Sequence, residues 1–113
     1  MNVVGLSSRL LREVEADIIS MDVCTRPDWY GRHPEIDMHG MICAGFEKGG
    51  KAICYGDSGG PLQCRGADGI WKLVGVVSLG DDGDRTCAKP KKPGLYSKIA
   101  AYLDWIKKYV KRA

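Results

Sequence analysis

Over residues 12–18 polar and apolar positions alternate. Arg12, Val14, Ala16 and Ile18 share one side, and Leu11, Glu13, Glu15 and Asp17 share the other. A period of two predicts a half-buried strand. Residues 20–30 are polar and interrupted by Pro27, which predicts a short helix or an irregular loop. His33-Pro34 continues it, because the residue before proline avoids the α region. A short apolar strand is predicted over 41–44. Glycine then recurs at 45, 49, 50, 56, 59 and 60, so 45–60 reads as loop. A second short strand follows over 62–65, then a turn at Gly66-Ala67-Asp68-Gly69. A longer strand over 70–79 is apolar on both faces at its centre. Residues 81–93 read as a charged loop, and 95–99 as another strand. The period then changes. Ile99, Tyr102, Leu103, Ile106 and Val110 recur at helical spacing, which predicts an amphipathic helix. Asp104 towards its start and Lys107, Lys108, Lys111 and Arg112 at its end suit the helix dipole. Those cations read as a solvated helix end rather than a heparin-like patch.

Short strands and 15 glycines in 113 residues describe one turn-rich β domain rather than a helical bundle. With 44% hydrophobic and 27% charged residues the chain folds rather than staying disordered. No apolar run approaches the roughly 18 residues of a membrane span. A net charge of +3 is too small to imply nucleic acid. The cysteines say more. Cys24, Cys43, Cys54, Cys64 and Cys87 form no CxxC pair, and His33 and His39 complete no zinc spacing, so no metal is expected. Disulfides and an oxidising compartment are expected instead. Five is an odd number, so one cysteine is either a thiol or is paired with a segment outside the chain. Residues 1–20 lack the apolar core of an export signal. Disulfides without an export signal lead us to expect a C-terminal piece of a longer secreted precursor.

The chemistry centres on Gly56-Asp57-Ser58-Gly59-Gly60-Pro61-Leu62. A serine hydroxyl attacks a carbonyl only when a base takes its proton and donors receive the oxyanion. Flanking glycines let the backbone turn tightly, so that the N–H groups of Gly56 and Ser58 could point at one spot. A plain glycine-rich turn is the rival reading of GxSxG alone. The nucleophile elbow of α/β-hydrolases needs a helix straight after the serine, and Pro61 to Gly66 offers none.

This segment, with Cys54 before it and Cys64 after it, resembles the active-site segment of trypsin/chymotrypsin-like serine endopeptidases, peptidase family S1. Met41-Ile42-Cys43-Ala44-Gly45 resembles the family's strand before the active-site loop. Val76-Val77-Ser78-Leu79-Gly80 resembles its substrate-pairing segment, with Leu79 where tryptophan is common. Residues 93–99 and 102–106 resemble its closing strand and C-terminal helix. The similarity runs from about Leu10 to Val110. It implies an all-β fold in which residues 1–113 form the second, C-terminal six-stranded antiparallel β-barrel of a trypsin-like double barrel, ending in an α-helix, with the N-terminal barrel absent. It also implies disulfides Cys24–Cys43 and Cys54–Cys87, and a bond from Cys64 to the missing half.

By the same resemblance Ser58 is the nucleophile, the N–H groups of Gly56 and Ser58 form the oxyanion hole, and Asp57 accepts the new N-terminus formed on zymogen cleavage. A turn-stabilising role is the plainer alternative for Asp57. The triad needs a histidine base oriented by an aspartate. The family's Ala-Ala-His-Cys segment is lacking, so both belong to the missing barrel; His33 and His39 read as exposed histidines of a loop that resembles one near the rim of the binding cleft, and the chain alone is expected to be inactive. The specificity pocket is expected from Ala52 at its base, Ile53 facing it, and Gly80 and Gly94 on its walls, with Tyr55 beside the cleft. Ser78, Leu79 and Gly80 are placed along the extended substrate, with Ser78 and Gly80 pairing to its main chain. An apolar floor leaves a cation uncompensated, whereas it favours apolar side chains by about 25 cal/mol per Å² buried. A chymotrypsin- or elastase-like preference for Leu, Met or an aromatic follows. Asp81, Asp82 and Asp84 read as a solvated acidic loop near the rim. Pro93 argues against a sodium site, and no cofactor is implied. Trp71, Trp105 and Tyr96 are expected to pack in the barrel. The expected partners are a protein or peptide substrate, the N-terminal barrel and protease inhibitors, with neither nucleic acid nor a membrane span. The expected location is extracellular. The alternative function is a non-catalytic protease homologue acting as a binding or regulatory module.

Overall fold

The computed structural model describes residues 10–54, 57–80 and 87–110. Five strands, β1 (Asp17–Ile19), β2 (Met41–Gly45), β3 (Pro61–Arg65), β4 (Trp71–Leu79) and β5 (Gly94–Lys98), form one antiparallel sheet in the order β1-β2-β5-β4-β3. A short helix α1 (Met21–Cys24) follows β1. A 3-10 turn at Ile99–Tyr102 leads into helix α2 (Leu103–Tyr109). The architecture is all-β with a C-terminal helix, as the resemblance implies. A sixth strand, and a ladder joining β1 to β3, are not among the described residues.

Local chemistry sets the boundaries. The Ser20 side chain caps α1 by accepting from the Val23 N–H at 3.2 Å, and Pro27 follows soon after the helix ends. The Gly66–Gly69 turn joins β3 to β4 through a bond from the Gly69 N–H to the Gly66 carbonyl at 3.0 Å. The alternation over 12–18 yields a strand only from Asp17 onward. β1 pairs with Cys43, Ala44 and Gly45, and β2 ends there, so the earlier residues have no strand of β2 beside them. Leu11 and Val14 are accordingly exposed.

Successive strand residues face opposite sides. Cys43 and Leu95 therefore join Cys24 in one buried cluster, while Ala44 and Tyr96 join Val77 in a second cluster on the other face. The disulfide Cys24–Cys43 ties α1 to β2 inside the first cluster, and Cys54–Cys87 ties two loops at one end of the sheet. Cys64 on β3 has no disulfide partner among the described residues. Tyr96 is buried, but Trp71 and Trp105 are each 60% exposed, against the expectation of barrel packing. Among the described residues nothing covers the start of β4 or the Trp105 side of α2, where the Trp105 and Tyr109 rings lie tilted with their centres 5.4 Å apart, while Ile106 is half-buried.

Burial raises the Tyr96 phenol above its ordinary value, and the nearby Asp57 charge adds to the rise. An unfolded tyrosine ionises near pH 10. The folded state resists that ionisation, so its stability holds below about pH 10 and falls as pH rises beyond it. Urea midpoints of the native full-length protein between pH 9 and 11.5 should drop less for Tyr96→Phe than for wild type. Equal slopes would show that Tyr96 is not the group responsible.

Candidate active site

The sequence Asp57-Ser58-Gly59-Gly60 closes a turn. The Gly60 N–H donates to the Asp57 carbonyl at 2.9 Å, and Gly59 has φ +86°. A positive φ at the third position is what a type II turn requires and what glycine supplies without strain. Ser58 is thereby set at the second position, on the outer corner, where it is exposed. Two bonds lock this turn to the sheet. The Gly59 N–H donates to the Val77 carbonyl at 3.0 Å, and the Val77 N–H donates to the Gly60 carbonyl at 2.8 Å. The turn thus extends the partnership of β4 beyond the end of β3.

Asp57 braces the approach. Its N–H donates to the Cys54 carbonyl at 3.0 Å, and its Oδ2 accepts from the Cys54 N–H at 2.8 Å. Gly56 and Tyr55, expected to supply an oxyanion donor and a cleft wall, lie outside the described residues, as do Asp81, Asp82 and Asp84. One register shift falls between Val77 and Leu79 in the ladder of β4 with β5, which resumes at the Leu79–Leu95 pair. Such a bulge frees backbone from pairing and re-aims it. Here it falls at Ser78, the residue expected to meet a substrate's main chain.

Ser58 opens on a cleft of about 350 Å³. That is large enough to enclose a side chain and some of its neighbours. Ala52, Ile53, Ser78, Leu79, Gly80 and Gly94 all line it together with Ser58. Six positions chosen from the sequence thus converge on one cavity, drawn from the loop before the turn, the end of β4 and the start of β5. Glu35 and Ile36 line it from the loop of His33 and His39, which the resemblance places near the cleft rim; sequence reasoning missed Tyr30 and the loop that carries Lys89 and Lys92. The Cys54–Cys87 pairing was a signal for Lys89, since it brings that loop to the active-site segment. No signal existed for Tyr30, whose hydroxyl donates to the Pro93 carbonyl 63 residues away.

Two adjacent lysines fasten these walls together. Lys92 donates to the Trp29 carbonyl and lies 5.1 Å from the centre of the Tyr30 ring. Lys91 pairs with Asp28 at 2.8 Å. That hydrogen bond holds the Asp28 carboxyl below the usual carboxylate range and the Lys91 ammonium above its own. The pair is exposed and so fixes geometry more than it adds stability.

His33 lines the cleft, whereas His39 does not. The His33 Nδ1 accepts from the Glu35 N–H at 3.1 Å. With Nδ1 accepting that bond, Nε2 is the ring nitrogen left for other contacts. Among the described residues no three His, Cys, Asp or Glu side chains gather as a metal site. No helix there is long and apolar enough to cross a membrane.

Over residues 2–106 the chain matches the family described as Trypsin. It is 43% identical over 102 residues to transmembrane protease serine 11E of Mus musculus, a match covering 90% of this chain and 22% of that protein. It is 47% identical over 97 residues to transmembrane protease serine 11G of Mus musculus, with 86% and 22% covered. It is 43% identical over 102 residues to transmembrane protease serine 11A of Homo sapiens, with 90% and 23% covered. The chain therefore spans less than a quarter of the length of these curated relatives.

Proposed function

Because the chain belongs to the trypsin family, we propose that it is the C-terminal barrel of a serine endopeptidase domain, carrying the nucleophile, the oxyanion donors and the primary specificity pocket. The observation that carries this reading is the exposed Ser58 at the corner of a glycine turn, sharing one cleft with Ala52, Ile53, Ser78, Leu79, Gly80 and Gly94. The hydroxyl oxygen of Ser58 attacks the substrate carbonyl carbon while its proton passes to a histidine. The Gly56 and Ser58 N–H groups receive the oxyanion. Collapse breaks the C–N bond, the amine leaves with that proton, and an acyl ester stays on Ser58. Water then opens the ester by the same route and returns the proton to Ser58.

The histidine and its orienting aspartate come from the N-terminal barrel of the same precursor, to which Cys64 is disulfide-bonded. Asp57 takes the ammonium of a new N-terminus on activation; Oδ2 is engaged by Cys54, which leaves Oδ1 for that contact. The substrate is an extended peptide or protein, and protease inhibitors compete for the same cleft. Two disulfides and the family support an extracellular site of action.

Ala52 places no carboxylate at the pocket base, so an apolar P1 side chain is preferred. Peptide anilides differing only at P1, tested on the native full-length protein, should show kcat/KM for Leu or Val above that for Arg or Lys by about tenfold or more. Preference for Arg or Lys would refute the apolar assignment. Absence of hydrolysis for every P1 would favour the non-catalytic homologue.

A further inference from the structure

Resting on the reading of this cleft as a protease specificity pocket, we propose that Ile53 forms a bar across its depth, so that the pocket admits short branched apolar side chains and turns away aromatic rings. The two glycine walls differ. A Cβ placed on Gly80 would meet none of the described residues within 4 Å, so among them that side of the pocket is open. A Cβ placed on Gly94 would lie 2.8 Å from Ile53 Cδ1, 3.0 Å from Ile53 Cγ1 and 3.1 Å from Tyr96 Cε1. The space that glycine at 94 would leave for a substrate ring is already filled by the tip of Ile53.

Ile53 is not free to swing aside. It packs against the buried cluster of Ala44, Val77 and Tyr96, and its β-branch restricts χ1. A side chain entering past Gly80 therefore meets a fixed aliphatic stop. Valine, isoleucine or leucine reaches that stop and buries its methyl groups against it. A phenylalanine ring must displace Ile53 from its packing, and overpacking of this kind is unfavourable. A lysine or arginine tail finds neither depth nor an acceptor at Ala52; among the described residues the carboxylate in the lining, Glu35, is exposed and shares the cleft with Lys89 and Lys92.

The test compares wild type, Ile53→Val and Ile53→Ala in the native full-length protein, on peptide anilides with Val, Leu, Phe or Tyr at P1. Wild type should favour Val and Leu over Phe and Tyr by about tenfold in kcat/KM. Ile53→Ala should raise kcat/KM for Phe about tenfold while lowering it for Val. Ile53→Val, which shortens the tip and keeps the branch, should fall between them and guards against a folding defect in the alanine variant. Equal use of Phe and Leu by wild type, or a Phe-to-Leu ratio unmoved by either substitution, would overturn the proposal. Loss of all hydrolysis would sink the protease reading instead. Binding of N-acetyl-leucinamide and N-acetyl-phenylalaninamide, followed on the methyl resonances of Val77, which lines the cleft and is kept in every variant, then decides the bar by itself. Selective leucinamide binding in wild type, with phenylalaninamide gained in Ile53→Ala, supports it; equal binding of both by wild type overturns it.

Discussion

Replacing Ser58 by alanine should lower peptide hydrolysis by the native full-length protein on the order of a millionfold, while shifting its stability by no more than about 0.5 kcal/mol. The two effects separate because of where the residue sits. Ser58 is the exposed corner of the turn, and its hydroxyl has no hydrogen-bond partner among the described residues. The conformation is held by neighbours instead: the positive φ of Gly59, the two bonds to Val77, and the Asp57 carboxylate on the Cys54 N–H. Alanine fits that corner. On the proposed mechanism, what it removes is the oxygen that forms the acyl ester. A variant that unfolds, or one that keeps more than about a thousandth of wild-type kcat/KM, would refute this account; residual rate from an oxyanion hole and binding alone lies far lower. Hydrolysis kinetics and urea unfolding on the same preparation give both numbers.

Removing the Cys24–Cys43 disulfide should cost about 3 kcal/mol, the chain-entropy value for a loop of this size. The bond closes a separation of 19 residues, and both cysteines are fully buried with Leu95. Ile19, Met21, Tyr30, Ile36 and Leu79 pack around that cluster. Three of these, Tyr30, Ile36 and Leu79, also line the Ser58 cleft. The double substitution Cys24→Ala/Cys43→Ala in the native full-length protein should therefore lower Tm by about 6–12 °C and loosen the cleft wall that carries His33 and Glu35. A rise in KM larger than the fall in kcat is the expected kinetic signature. An unchanged Tm would show that packing, not the bond, holds α1 against β2.

Much of the candidate site's geometry was legible in the chain because it is local. Glycine at 59 and serine at 58 state their own turn, and Pro61 excludes a helix after them. The longest strand, the 66–69 turn and the change of period near Ile99 were equally visible, since each is set by neighbours in sequence. The misses share one cause. Trp71 and Trp105 carry the apolar bulk of core residues, and nothing in their own segments says that the described chain leaves them uncovered. The strand predicted over 12–18 is cut to Asp17–Ile19 because β2 ends at Gly45, a fact belonging to another segment. His33 reached the cleft and His39 did not, although both stand in one loop with similar neighbours. The Ile53–Gly94 contact joins residues 41 positions apart in sequence and could not be read from spacing. On the proposed reading it closes at depth a pocket that looked open from its glycines.

The most direct test of the central claim is a fluorophosphonate probe followed by peptide mapping. In the full-length protein the account predicts a single phosphonyl adduct on Ser58, formed rapidly and absent from Ser58→Ala. In the isolated 113-residue chain it predicts labelling near background, because the proton acceptor is supplied from elsewhere. An adduct on another residue, no adduct on the full-length protein, or labelling of the isolated chain at the full-length rate would contradict it.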